Sequence, residues 1–352
     1  MPKSNDPTQP KTPSRRTRSR RSSSGGITLE DVARLAGVST ITVSRVLNQP
    51  DRVAADTLRK VTQAIDRTGY VPNLLAGGLA SRRTHLIAAI VPSITNLVYA
   101  ETIQYFSARL KESGYQVLLG ESGYLDEDEL SLITAILSRR PDGILLTGVN
   151  HSIDCRRRLL AANTPLVETW DLTPTPLDIV VGFSHERVGD AVADYLAKKS
   201  YRRIGTVFAN DGRAQVRQQA MLKRLKDYDI NHIEISEVPV PTDLHRGRLG
   251  LAQLIDRGFR TGAVCCSSDT LALGVLIEAQ ARGIRVPDDL AVLGFGDQVF
   301  AADLYPALST IRINRPRIGR LAAEALLARI NCEPVNNPAI DVGFEIVERE
   351  TT

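Results

Sequence analysis

From Leu86 to the C-terminus, short apolar runs bounded by turns alternate with amphipathic stretches. The apolar runs mark strands at 86–91, 115–120, 142–147, 165–170, 178–182, 203–208, 233–238, 262–266 and 290–295, with a last strand at 342–348. The stretches between them mark helices at 97–113, 126–139, 185–199, 214–228, 246–257, 270–282 and 316–330. Such alternation implies an α/β architecture, parallel sheets with helices on both faces. Nine or more strands over this length predict two doubly wound sheets rather than one. In such sheets a ligand sits outside the carboxyl ends of the strands. No run of 18 apolar residues is present, so no membrane partner is expected. The N-terminus lacks the apolar centre of a secretory signal, and the four cysteines form no CxxC pair. Cys265 and Cys266 lie in an apolar run and read as buried thiols, which suits a reducing cytoplasm.

The region before Leu86 has a different character. Residues 1–26 are rich in Ser, Pro, Thr and Arg and have almost nothing to bury, so a disordered basic tail is expected. Its arginines can touch phosphates or serve only as a solubilising extension. Residues 27–72 read as three short helices, and 73–85 as a hinge or linker. The first 85 residues carry a net charge of +9 and the remainder −5. A basic N-terminal part on an acidic body points to a polyanionic partner for that part.

Leu29 to Leu47, LEDVARLAGVSTITVSRVL, has the spacing of two helices crossing closely about a tight turn. Ala33 is small where the helices touch, and Gly37 tolerates the positive φ of the turn. Val32, Ala36, Val38, Val43 and Val46 fall where a shared core is needed, and Ser39 is placed to cap the second helix. Thr40, Ile41, Thr42, Ser44 and Arg45 face outward on that helix. A helix of this type reads base edges in the major groove. Arg45 can make a bidentate contact to guanine, and Thr40 and Ile41 can offer hydroxyl and methyl contacts. Thr28, Ser39, Thr42 and Ser44 suit phosphates, with Leu29 at the helix start beside them.

TLEDVARLAGVSTITVSRVLN followed by VAADTLRKVTQAIDRTGYVPN resembles the DNA-binding head of the lactose/galactose repressor family, and the resemblance runs from residue 27 to 352. It implies a helix-turn-helix head joined by a hinge to a two-lobed, periplasmic-binding-like core, acting as a homodimer on double-stranded operator DNA. By position, Thr40, Ile41 and Arg45 match base-reading residues, while Asn48, Tyr70 and Asn73 match residues that brace the head. The hinge, Asn73 to Ser81 with Ala76 within it, would form a short helix on DNA. Leu79 would then wedge between base pairs in the minor groove. Gly77 and Gly78 depart from a good helix former, each by about 1 kcal/mol. A flexible linker without groove contact stays open.

The resemblance also nominates an effector pocket between lobes at about 86–183 with 312–339 and 184–311 with 340–352. Chain crossings fall near Phe183, Ile311 and Ala339. Ser93, Asn96 and Tyr99 lie in the first pocket loop, Asp171 follows Trp170 after a strand, and Phe183 begins the first crossing. Arg217 stands three residues before Ala220, where the family has arginine before glycine. Ser268-Asp269 replaces an Asn-Asp pair. Gly296 stands where many members carry a ligand-binding aspartate, with Asp297 beside it. Ser93, Asn96 and Ser268 equally suit helix caps, Trp170, Tyr99 and Phe183 equally suit packing, and Arg217 a helix surface. His151 reads as a solvated loop residue.

An aspartate at position 296 would repel an anionic ligand in a low-dielectric cleft, so glycine there together with Arg217 favours a carboxylate. Pro92–Glu101, Glu121–Tyr124, Leu146–His151 and Leu177–Phe183 resemble the gluconate-operon repressors of this family. Gluconate is therefore the first effector expected, with 2-ketogluconate, a phosphorylated sugar acid or another sugar behind it. A solute-binding protein would share the core but leave the basic head without a purpose. An enzyme is disfavoured, because the sequence has no metal-ligand cluster, P-loop or GxSxG, and no cofactor is called for.

Overall fold

The computed structural model describes residues 26–71 and 83–352, which fall in two units divided at Ser81–Arg82. The N-terminal segment 1–25, with its expected disorder, and residues 72–82, with the hinge residues Asn73, Ala76 and Leu79 and their expected helix, lie outside the described residues.

In the head, α1 (Leu29–Ala36), α2 (Thr40–Asn48) and α3 (Ala55–Thr68) pack around Val32, Ala33, Val43, Val46, Val61 and Ala64. Thr28 starts α1 through a reciprocal capping box with Asp31, and Gly37 ends it in the left-handed region at φ 67°. The turn is therefore made by the residue type it needs. Ser39 then caps α2 by accepting from the Thr42 N–H.

The body contains two six-stranded sheets. The first is ordered β11-β5-β4-β3-β1-β2, with β1 (Leu86–Val91), β2 (Gln116–Glu121), β3 (Gly143–Thr147), β4 (Leu166–Thr169), β5 (Ile179–Gly182) and β11 (Ala339–Asp341). All of its pairings are parallel. The second is ordered β12-β10-β9-β8-β6-β7, with β6 (Arg203–Ala209), β7 (His232–Val238), β8 (Gly262–Cys266), β9 (Leu290–Gly296), β10 (Ser309–Arg312) and β12 (Glu345–Val347). Only β12 runs antiparallel to its neighbour. Strands β1, β3, β5 and β9 are nearly continuous apolar runs because helices cover both faces, and β4 is equally buried although it carries Glu168 and Thr169.

The helices of the body are α4 (Leu97–Glu112), α5 (Asp126–Leu137), α6 (Ile153–Ala162), α7 (His185–Lys198), α8 (Gly212–Lys226), α9 (Leu244–Asp256), α10 (Asp269–Ala281) and α11 (Arg315–Ile330). Helix α11 packs on α4, so the chain returns to the first lobe after β10. Three details depart from the sequence reading. Helix α6 was not foreseen, because IDCRRRLLAA carries three consecutive arginines and little apolar periodicity. Strand β10 was missed as a short Ser-Thr-Ile-Arg run. The third crossing comes at Val342–Phe344 and not at Ala339, since Ala339–Asp341 pairs with β5 in the first sheet while Glu345–Val347 pairs with β10 in the second. The expected last strand at 342–348 therefore shrinks to Glu345–Val347. Two sheets so joined have their strand ends facing a common cleft. All four cysteines are free, with Cys265 and Cys266 buried. Among the described residues no helix is long and apolar enough to cross a membrane.

Candidate functional site

Burial of Val43 and Val46 fixes the rotation of α2. The same geometry turns Ile41 outward at 70 % exposure, with Arg45 exposed one turn later. Thr40, Thr42 and Ser44 are half-buried along the edges of that face. The Thr42 hydroxyl lies 2.9 Å from that of Ser39. Asn48 donates to the Ser44 carbonyl oxygen at 2.8 Å, so its amide already serves the end of the helix. Leu29 and Tyr70 pack against the head core, which leaves Leu29 only its backbone N–H as a phosphate donor. An exposed branched aliphatic beside an exposed guanidinium on a short rigid helix suits base edges.

In the body, a small cavity opens between the two sheets. Asn96, Tyr99 and Trp170 line it from the first lobe, and His185, Arg213, Arg217 and Ser268 from the second. Helix geometry explains several of these positions. Asn96 caps α4, Asp211 caps α8 and Ser268 caps α10, so the first turns of three helices meet the cavity. Unsatisfied N–H groups at such ends favour an anion. Arg213 and Arg217 are one turn apart on α8 and project from the same face. Gly189 on α7 makes room for this helix: a Cβ there would lie 2.3 Å from the Arg217 carbonyl oxygen.

Arg217 is 7 % exposed and its plane lies 3.8 Å over the Phe295 ring. It donates to the Ser267 carbonyl oxygen at 3.1 Å and lies 3.0 Å from His185 Nδ1. His185 Nε2 lies 2.8 Å from the Trp170 carbonyl oxygen, which can only accept. Nε2 therefore carries the proton, and Nδ1 accepts from Arg217. Burial, followed by Arg217 and Arg213, holds the imidazole well below its usual range, so it is neutral. Burial pushes Arg217 down to about 10, which still leaves it cationic at neutral pH. Burial also acts to lower Arg213, but Tyr99, Asp211 and Asp171 more than offset it and raise that guanidinium above its usual value. Arg213 donates to the Tyr99 hydroxyl across the cleft at 2.6 Å. Its Nη1 and the Trp170 indole N–H are buried without a partner. Trp170 also holds a left-handed φ of 70°. Strain and orphaned donors at one cavity are costs that a ligand can offset. Affinity for a carboxylate should therefore stay level between about pH 6 and 9, as neither His185 nor Arg217 changes charge there. A steep gain toward pH 6 would show that His185 titrates and would overturn its assigned tautomer.

The other nominated residues lie elsewhere. Phe183 is fully buried behind the cavity, against Trp170 and Phe295. Ser93 is 5 % exposed and bonds the Thr95 hydroxyl. Asp171 faces a neighbouring cavity, and burial raises its carboxyl. Asp297 is not in the pocket. Arg312 and Arg349 hold its carboxylate at 2.6 and 2.7 Å, and Arg315 donates to its carbonyl oxygen at 2.7 Å. It serves as an anchor beside the crossing segments. His151 is not solvated: its side chain is buried, with Nδ1 at 2.8 Å from Glu129. Gly296 has φ 126°, a conformation open to glycine, so a side chain there would strain the backbone beside the cavity. The sequence reading missed His185, Arg213 and Asp211. The signal for Arg213 was its one-turn spacing from Arg217.

A helix-turn-helix head and a two-lobed body with a polar cavity between its lobes define a ligand-responsive, DNA-binding regulator. Residues 28–73 match the profile described as "Bacterial regulatory proteins, lacI family", and 193–352 match "Periplasmic binding protein-like domain". The chain is 39 % identical over 332 residues to the HTH-type transcriptional regulator GntR of Pseudomonas aeruginosa, covering 93 % of this chain and 96 % of that one. A solved LacI-family transcriptional regulator from Silicibacter pomeroyi superposes with TM-score 0.87 at 33 % identity, covering 92 % and 99 %. The lac repressor dimer bound to operator and the anti-inducer ONPF superposes with TM-score 0.77 at 25 % identity, covering 93 % and 99 %. The chain belongs to the lacI family of bacterial transcriptional regulators and is not an enzyme.

Proposed function

We propose that this regulator represses transcription as a homodimer on a near-palindromic operator and is released by a small sugar acid, gluconate first among them. The observation that carries this reading is the pair of buried guanidinium groups, Arg213 and Arg217, lining a cavity with a neutral histidine. Charge-assisted hydrogen bonds to a carboxylate use both. The resemblance of four stretches to gluconate-operon repressors and the name of the Pseudomonas relative support the same class. Thr28, Ser39, Thr42 and Ser44 hold phosphates, and Thr40, Ile41 and Arg45 read bases. The head occupies 27–72, the hinge 73–85 and the effector-binding body 86–352.

Effector binding between the lobes changes their relation and disfavours the DNA-bound arrangement. Coupling of this kind is reciprocal, so operator must weaken effector binding by the same factor. Calorimetric titration with D-gluconate, with ribose and galactose as controls, is the direct test. Heat from gluconate alone is the expected result. Silence toward gluconate with heat from a neutral sugar would overturn the carboxylate reading of Arg213, Arg217 and Gly296.

A further inference from the structure

Beside the cavity just described lies a second, larger one, open on one side, and Asp211 and Arg213 wall both. Its lining is the electrostatic opposite of the first. Four carboxylates, Asp126, Glu129, Asp171 and Asp211, border it against the single guanidinium of Arg213. Glu129 is braced from behind by the buried His151 at 2.8 Å. Burial raises the Asp171 carboxyl, against the opposing pull of the Leu172 N–H, Arg213 and Arg217. The orphaned Arg213 Nη1 lies 3.6 Å from where a side chain on Gly148, a wall residue of this chamber, would begin. An unused buried donor thus stands at the boundary between the two compartments. Residues 122–124 and 147–150, from two of the stretches that resemble the gluconate-operon repressors, supply much of the remaining wall.

We infer that the effector lies across both compartments, its carboxylate toward Arg217 and its hydroxyl-bearing tail in the acidic chamber, and that the four carboxylates exclude a terminal phosphate. The inference rests on the sugar-acid reading above and adds its polarity. A hydroxyl donates to a carboxylate and accepts from Arg213, so a polyol tail satisfies both kinds of wall group. A phosphate dianion can only accept, and it brings like charge against four carboxylates, of which Glu129, Asp171 and Asp211 are half-buried and Asp126 is exposed. The selected ligand is then a sugar acid with a free terminal hydroxyl.

The test uses the full chain, titrated with D-gluconate and with 6-phospho-D-gluconate under the same salt. Gluconate should bind at least about tenfold more tightly, a difference of about 1.4 kcal/mol. In Asp126→Asn, whose side chain is at the first position of α5, that ratio should shrink severalfold through tighter binding of the phosphorylated ligand. Equal or tighter binding of 6-phospho-D-gluconate by the unmodified protein overturns the inference and leaves the sugar-acid reading standing. A preference for gluconate that Asp126→Asn leaves unchanged overturns the role of the acidic chamber. Absence of heat from both, with heat from a neutral sugar, overturns the sugar-acid reading and this inference with it.

Discussion

Replacing Arg217 with alanine is expected to weaken gluconate binding by about 30-fold to several-thousand-fold, while operator binding stays within about twofold of the unmodified protein. The range is that for removing one partner of a buried, hydrogen-bonded charge pair, about 2–5 kcal/mol. Arg217 is placed for that role by three constraints. It stacks on Phe295, donates to the Ser267 carbonyl and donates to a histidine whose other nitrogen is fixed by the Trp170 carbonyl. Those contacts orient it and use only part of its five N–H donors. Alanine also leaves the Ser267 carbonyl without that donor, so the body should lose about 1–3 kcal/mol of stability. Arg217→Lys separates the two effects: it restores the charge but cannot reproduce a planar fork, so affinity should recover only partly. Fluorescence anisotropy of labelled operator reads the consequence, since the alanine variant should stay on DNA at gluconate concentrations that release the parent. Release at the ordinary concentration would show that Arg217 is a strut for His185 and Phe295 and not a ligand contact.

The second large effect concerns the head. Arg45→Ala should lower operator affinity by about 1–3 kcal/mol per half-site, hence by roughly 30-fold to 10⁴-fold for a dimer with two half-sites. Arg45 is exposed on α2 and takes no part in the head core of Val32, Ala33, Val43, Val46, Val61 and Ala64, so folding should be unaffected. A base contact and a phosphate contact predict different patterns. Loss of a base contact weakens binding to operator and relaxes selectivity at one position. Loss of a phosphate contact weakens binding to every sequence and reduces the salt slope by about one. A titration against operator and unrelated DNA at several salt concentrations distinguishes them. Uniform weakening would move Arg45 from the base-reading set to the phosphate set.

Much of the fold was legible in the residues because the signals were local. Leu86–Val91 and Gly262–Cys266 appear as strands at the expected positions, since an apolar run between turns needs no distant partner to be recognised. The head was clearer still. Gly37 at positive φ, Ser39 as a cap and Val43 and Val46 as core each act within a few residues of their own position, whereas the capping box of Thr28 was not foreseen. Elements with weak local signals were lost or misplaced: α6 with its three arginines, β10, and the three-residue strands β11 and β12. Strands so short exist because an already formed sheet offers them hydrogen bonds.

The site divides along the same line. Arg217, Asn96, Tyr99 and Ser268 were identified from their places in motifs, and they do meet at one cavity. Asp297 was drawn away by Arg312 and Arg349, residues 15 and 52 positions further along the chain. His185 entered through the Trp170 carbonyl and Arg217, and Arg213 through Tyr99, 114 positions earlier. By itself, then, the sequence determined the helices and strands with strong local signals, which face of α2 turns outward, and that a basic N-terminal part precedes an acidic body. Only the tertiary structure decided which charges face the ligand and which are consumed by one another. Periodicity and capping are set by neighbours a turn or a pleat away, whereas the pairing of a buried charge depends on whichever group the other lobe brings within about 3 Å.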